Sequence, residues 1–388
     1  MSDSFPLQKL QNIKTPFYYY DMELLERTLK MAREEAKKYD FVVHYAIKSN
    51  ANPRVLEMIR SFGFGVDCVS GFEVQRALDS GFKSSGIVFA GVGKADWEIE
   101  LGLDNDIACF NVESVPELSV INELASKKGK VAKVAIRINP NVNAKTHHYI
   151  TTGLKENKFG INQWDLEKVV ESLNKMNNIK LEGIHFHIGS QITDLTSFQE
   201  LCVRVNEIQE WFISQRLAPC VINVGGGLGI DYEDPDLNPI PDFAGYFKVF
   251  KDGLNIKGAQ EVHFELGRSL TGQCGSLVTK VLYIKEGVKT KFAIVDGGMT
   301  ELIRPALYQA YHKIKNLSSA APEEKYDVVG PICESSDSFG KAVLLPRTSR
   351  GDLLVLRSAG AYGEVMASQY NLRNLPASVY SDRLYKRT

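Results

Sequence analysis

The sequence predicts an α/β protein: a (β/α)8 TIM-like barrel joined to a mostly-β C-terminal domain that also takes the N-terminal strand. Three observations lead there. Eight short apolar runs recur with helix-like segments in most of the gaps, and eight is the strand count of a closed parallel barrel. A glycine-rich loop follows the seventh run, whereas a doubly wound sheet carries its phosphate fingerprint after the first strand. Beyond about residue 270 the segments become short, β-rich and bounded by turns.

Taken in order, 15–20 (TPFYYY) is aromatic and β-prone, and Met22–Lys38 carries Leu24, Leu25, Leu29 and Ala32 near helical spacing. The barrel strands are expected at Phe41–Ile47, Phe64–Val69, Ile87–Ala90, Ile107–Phe110, Val131–Ile138, Leu181–Ile188, Val221–Val224 and Glu261–Leu266. Helices are expected between them, among others at Arg54–Ser61, Glu73–Ser80, Pro116–Lys127, Leu166–Asn174 and Phe198–Ser214. The later strands are expected at Gly275–Ile284, Lys291–Asp296, Tyr326–Val329 and Asp352–Leu356. The boundaries that follow are 22–268 for the barrel and 1–21 plus 269–388 for the β-rich domain. A chain of 388 residues has room for both.

Composition narrows the partners. The net charge of −1 gives no general attraction to nucleic acid or anionic lipid, so any charged ligand must be caught locally. No run of about 18 apolar residues offers a membrane span, and the N-terminus MSDSFPLQKL has no secretory pattern. The six cysteines include no C-x-x-C pair and are too few for a disulfide scaffold in a chain this long. A reducing, cytoplasmic location is the expectation.

In a barrel of this type, chemistry collects at the C-terminal ends of the strands. Lys48 ends the first, Asp67 lies in the second and Arg137 ends the fifth. His185 and His187 end the sixth, Gly225, Gly226 and Gly227 follow the seventh, and Glu265, Gly267 and Arg268 lie at the end of the eighth. Lys48 is either a snorkelling strand-end lysine or an enclosed amine whose neutral form can attack a carbonyl. The glycines make either a tight turn or an anion cradle of backbone N–H groups, with Ser190 and Arg268 able to assist. His185 and His187 share a face, as a metal pair or with His187 stacked on a flat ring; further ligands would have to come from few histidines, His147 and His148 among them. Glu265 near the axis needs a cationic partner, either Arg268 or a protonated ring nitrogen.

In the second domain, Cys333 beside Glu334 in GPICESSD is either an inert thiol or an acid. Arg304 and Tyr308 lie four apart in ELIRPALY and on a helix could clasp a carboxylate together. Tyr362 sits in SAGAYGE, and its ring is expected to be exposed on a loop.

Together these motifs change the reading. In order along nearly the whole chain, TPFYYYD, YAIKSN, DCVSGFE, RINP, NKFGI, HFHIGSQ, GGGLGI, ELGRS, RPALY, GPICESSD and AGAYG resemble the fold-type III pyridoxal-phosphate-dependent decarboxylases. The resemblance implies that Lys48 holds pyridoxal 5'-phosphate and that Gly225–Gly227, Ser190, Gly267, Arg268 and Tyr362 surround its phosphate end. It implies that Glu265 keeps the ring nitrogen protonated, His187 stacks on the ring and Cys333 reprotonates the product carbon. Arg268, Arg304, Tyr308, Glu334 and Tyr362 would hold the far end of the substrate, and Asp67 and Arg137 would support the site. No metal is implied. The family works as a homodimer with shared sites, so Cys333 and Glu334 would serve the partner's Lys48.

Two departures stand out. Leu266 occupies a position where the family usually has proline, and Phe72 one where it often has glycine, which takes a positive φ far more readily than phenylalanine. The far-end residues select the substrate. Arg268 and Arg304 match a carboxylate and Glu334 an amine, so the expected reaction is decarboxylation of meso-2,6-diaminopimelate to L-lysine. An ornithine- or arginine-type substrate, a non-catalytic cofactor-binding barrel and a metal-dependent barrel hydrolase are the alternatives.

Overall fold

A computed structural model describes residues 5–142 and 158–384. His147 and His148 lie outside them. The chain forms two compact units, one of Leu29–Gly229 with Asp242–Gly267, the other of Met1–Thr28, Ile230–Pro241 and Arg268–Thr388. The segment 230–241, placed with the barrel on sequence grounds, counts with the β-rich unit.

Phe17–Tyr20 is β1. The next eight strands close a barrel in sequence order: β2 (Val42–Ala46), β3 (Gly65–Cys68), β4 (Ile87–Phe89), β5 (Cys109–Val112), β6 (Ala132–Arg137), β7 (Ile179–His185), β8 (Val221–Asn223) and β9 (Glu261–Leu266). All neighbours are parallel, and β9 returns to β2 with His44 opposite Glu265 and Tyr45 opposite Leu266. Each expected barrel strand overlaps an observed one. Leu266 continues β9 in register and is buried.

The longer helices are α1 (Met22–Lys37), α2 (Pro53–Ser61), α3 (Gly71–Asp79), α4 (Asp96–Asp104), α5 (Val115–Lys127), α6 (Leu166–Leu173), α7 (Thr196–Ser214) and α8 (Phe243–Gly253). Several begin at a polar cap just beyond a strand end. Asn52 Oδ1 accepts from Arg54 N, Ser70 Oγ from Glu73 N and Ser114 Oγ from Glu117 N. Such caps stabilise a helix start by about 1 kcal/mol each. Phe72 lies in the first turn of α3 with its side chain 76% exposed, against the Trp97 ring at 5.1 Å. It has no positive φ, so glycine's freedom is not required there. Outside β9, the Phe264 ring meets Phe41, Tyr246, Phe247 and Phe250 at 4.9–5.7 Å, fastening α8 to the sheet.

The β-rich unit is built on the long β10 (Gly275–Glu286) with β11 (Lys291–Val295), β12 (Ile314–Asn316), β13 (Glu323–Val329), β14 (Ser338–Pro346), β15 (Leu353–Leu356) and β16 (Ala377–Tyr380). The sheet order is β12-β15-β10-β11-β13-β14, and β1 joins between β10 and β16. Alternation explains why four aromatic residues suit β1. Phe17 and Tyr19 enter the core of Leu10, Val278, Leu353 and Val355, while Tyr18 and Tyr20 stack on the other face at 6.3 Å.

Candidate active site

In the barrel unit, the turn Ile47–Ser49 beyond β2 carries Lys48. Ile47 and Ser49 are buried beside it, and the Tyr45 hydroxyl donates to Asn50 O at 2.8 Å, pinning the turn from below. The Lys48 side chain is 37% exposed, and its Nζ donates to Asp67 Oδ2 at 3.3 Å. Asp67 is fully buried and its Oδ1 has no hydrogen-bond partner. Burial, aided by the charge of Glu265 and opposed by Lys48, pushes its carboxyl up to about 8. The ordinary cost of burying a carboxylate is thus only partly offset by the lysine at its side.

Glu265 ends β9 inside the barrel. Asn111 Nδ2 of β5 and Asn223 Nδ2 of β8 donate to its Oε1 at 3.0 and 2.8 Å, and His185 Nε2 lies 3.0 Å from Oε2. Burial alone would raise this carboxyl; His185, by charge and hydrogen bond, and then Lys48 outweigh it and hold it below the usual carboxylate range. Its partner is thus His185, not an arginine. Neither asparagine was singled out from the sequence. The available signal was a lone amide inside each apolar strand, in CFNV and VIN.

His187 shares a strand end with His185, but the two imidazoles do different work. Its Nδ1 accepts from Gly226 N at 3.2 Å, so the proton of the neutral ring sits on Nε2. Burial, with Arg137 and Lys48 nearby, lowers the imidazole well below its usual value and keeps it uncharged. Among the described residues, no three His, Cys, Asp or Glu side chains are grouped to hold a metal.

The glycine loop is crowded by backbone. A Cβ on Gly226 would lie 1.9 Å from Glu265 O, and one on Gly225 (φ 71°) 2.3 Å from Phe186 O. Gly227 takes φ 116°. Ile192 N donates to Gly227 O and Gly229 N to Ile192 O, both at 2.9 Å, which ties the Ser190 loop to the glycine loop. A Cβ on Gly267 would come within 3.1 Å of Ser49, so the end of β9 runs close against the Lys48 turn. Arg137 donates to Glu113 Oε1 at 2.6 Å and covers the Phe159 ring at 4.8 Å. Glu113 Oε2 in turn accepts from Gly160 N, so Arg137 and Glu113 brace the loop beyond β6.

In the β-rich unit, α9 (Arg304–Tyr308) places Arg304 and Tyr308 four apart on one short helix. Arg268 Nη1 and Arg304 Nη1 both donate to the Tyr232 hydroxyl, at 2.6 and 2.8 Å. Burial works to raise this phenol, but the two guanidiniums outweigh it and leave it below its ordinary value. Tyr362 adopts φ 56° and its ring lies 4.8 Å from the Arg268 guanidinium, so it is half-buried rather than an exposed loop residue. Cys333 and Glu334 are exposed. Cys333 N donates to Asn371 Oδ1, and Glu334 Oε1 accepts from the Tyr370 hydroxyl at 2.7 Å. Tyr232 was not foreseen, because nothing local in GGGLGIDY marks it.

The barrel residues fit pyridoxal phosphate. They offer an amine at the mouth, a backbone cradle in which a Cβ would collide, a neutral imidazole and a buried carboxylate held ionised.

Known proteins agree. A family model described as "Pyridoxal-dependent decarboxylase, pyridoxal binding domain" matches residues 22–272. A diaminopimelate decarboxylase of Bacteroides thetaiotaomicron is 58% identical over 385 residues, which is 99% of this chain and 100% of its own. The crystal structure of diaminopimelate decarboxylase from Helicobacter pylori complexed with L-lysine superposes with a TM-score of 0.91 at 39% identity, covering 96% of this chain and 93% of that one. The enzyme from M. jannaschii in co-complex with L-lysine does so with a TM-score of 0.89 at 36% identity, covering 97% and 89%. With a match of this extent on every comparison, the chain belongs to the pyridoxal-dependent decarboxylases and, among them, to the diaminopimelate decarboxylase family.

Proposed function

We propose that this protein removes CO2 from meso-2,6-diaminopimelate and releases L-lysine, using pyridoxal phosphate held by Lys48. The observation that carries the substrate choice is the pair of buried guanidiniums, Arg268 and Arg304, meeting at Tyr232. A far-end carboxylate suits such a pair, whereas a diamine-forming substrate of the ornithine type has nothing to offer it.

Bound in the barrel, pyridoxal phosphate supplies the sink for the electron pair left on the substrate carbon when CO2 departs. The chain's residues do the rest. Lys48 Nζ holds the cofactor, with Asp67 Oδ2 positioned to take up or return its proton. The ionised Glu265 carboxylate favours a proton on the ring nitrogen, and His185 keeps that carboxylate charged. Gly225, Gly226, Gly227, Ser190, Gly267, Arg268 and Tyr362 bind the phosphate end, and the uncharged His187 offers a flat face to the ring. Cys333 Sγ delivers the proton that replaces CO2, Tyr308 joins Arg304 on the far carboxylate and Glu334 orients the far amine.

The exposure of Cys333 and Glu334 supports a homodimer in which each copy completes the other's site. All six cysteines are free, in keeping with a cytoplasmic setting. Among the described residues no helix is long and apolar enough to cross a membrane. The assay is turnover of meso-diaminopimelate against ornithine and arginine. The account expects the first to be preferred strongly; faster ornithine or arginine turnover would overturn it.

A further inference from the structure

The segment 230–241 leaves the chain between two barrel strands, yet it is clamped into the β-rich unit. Lys313 and Lys315 of the β12 region bind Asp234 and Asp236 at 2.6 and 2.8 Å, Arg357 binds Asp236 at 2.7 Å, and Gln273 donates to Asn238 O. These ties fix where the Tyr232 hydroxyl sits.

That hydroxyl is an unusual meeting point. A phenol oxygen has two lone pairs, and each takes one guanidinium. Arg304 Nη1 also donates to His312 Nε2 at 3.1 Å, while His312 Nδ1 donates to Arg357 O at 2.8 Å, which fixes the tautomer. The His312 ring stands edge-on to Tyr232 at 5.3 Å. Arg304 is 5% exposed, it donates to a tyrosine hydroxyl and an imidazole rather than to a carboxylate, and its Nε is buried with no hydrogen-bond partner. Two like charges are therefore held together and, among the described residues, no carboxylate pairs with Arg304 to cancel them. A carboxylate there would hold the arginines just as well, but it would occupy the place of an anionic ligand.

We propose that Tyr232, backed by His312, is a specificity-determining positioning residue, a neutral clamp that presents Arg268 and Arg304 as one receptor for the substrate's far carboxylate. This rests on the substrate assigned above. The reaction removes one of two carboxylates, so the far one survives on L-lysine. Substrate and product then share this contact, and 1,5-diaminopentane, which has no carboxylate, does not make it.

The test uses holoenzyme carrying Tyr232→Phe, His312→Phe or His312→Gln. Tyr232→Phe is expected to raise the KM for meso-diaminopimelate and the inhibition constant of L-lysine by the same factor, about ten- to hundredfold, with a much smaller change in kcat. Inhibition by 1,5-diaminopentane should stay the same. His312→Phe should raise the first two constants, and His312→Gln should restore them, because an amide both accepts from Arg304 and donates to Arg357 O. Should Tyr232→Phe lose the cofactor's absorbance band through misfolding, the His312 pair decides: equal constants for Phe and Gln overturn the proposal. Unchanged constants in a folded Tyr232→Phe protein overturn it as well. If wild type yields no L-lysine from meso-diaminopimelate, the substrate assignment falls and this inference with it; if wild type does and Tyr232→Phe matches it, only this inference falls.

Discussion

His185 Nε2 lies 3.0 Å from Glu265 Oε2, both buried inside the barrel and drawn from strands that are not neighbours. With Asn111 and Asn223 on the other oxygen, the carboxylate is held on both sides and kept ionised. Glu265→Gln keeps the shape and one acceptor oxygen for the two asparagine amides, but it removes the charge and turns the group facing His185 into a donor. It should bind pyridoxal phosphate, seen by absorbance, while kcat falls by about 100- to 1,000-fold. Wild-type kcat in this variant would remove Glu265 from the mechanism.

Gly226→Ala places a methyl group 1.9 Å from Glu265 O, a backbone atom that cannot swing away. Overpacking of this kind costs about 1–3 kcal/mol. Titration of apoprotein with pyridoxal phosphate should show affinity lowered by about tenfold or more. Unaltered affinity would mean that the loop does not cradle the cofactor.

Shared sites predict complementation. Lys48→Ala and Cys333→Ala are each expected to be nearly inactive. Mixed in equal amounts and allowed to exchange, they should recover about a quarter of wild-type activity, since half of the random dimers carry one intact site. No recovery, with exchange verified by mass spectrometry, would place both residues in one copy's site.

His44 on β2 bonds Gly86 O and His263, and burial, reinforced by His263, lowers its imidazole to about 4. The unfolded chain takes up this proton near pH 6.5 and the folded chain does not until about pH 4, so His44 makes stability rise with pH across that window. His312, lowered to about 3 chiefly by burial, acts with the same sign. Asp67, raised to about 8, acts oppositely, favouring the folded state less as pH climbs from about 4 to 8. Comparing His44→Gln with wild type isolates the first contribution. Denaturant unfolding should show a slope against pH shallower by up to about 1.4 kcal/mol per unit. Identical slopes would show that His44 is not held neutral.

Much of this was legible in the sequence. Alternation of apolar runs with helical patterns is a local signal, and each barrel strand falls where its run predicts. Lys48, His187, Glu265 and the glycines stand out because polar or side-chain-free residues at strand ends run against the apolar pattern. What was hidden depends on distance along the chain. Asn111, Asn223 and His185 meet Glu265 only once the barrel closes. Tyr232 meets Arg304 across 72 positions because an excursion between two barrel strands is pinned into the other unit. The Tyr362 ring was expected to be exposed, because flanking glycines suggest a bare loop; its stacking partner, Arg268, is remote in sequence.

The central claim is a cofactor-dependent decarboxylation at Lys48. The most direct measurement follows L-lysine and CO2 released from meso-diaminopimelate by wild type and by Lys48→Ala, with and without added pyridoxal phosphate. The account predicts equimolar L-lysine and CO2 from cofactor-loaded wild type and almost none from Lys48→Ala under either condition. Absence of L-lysine from the loaded wild type, or equal turnover by Lys48→Ala, would contradict it.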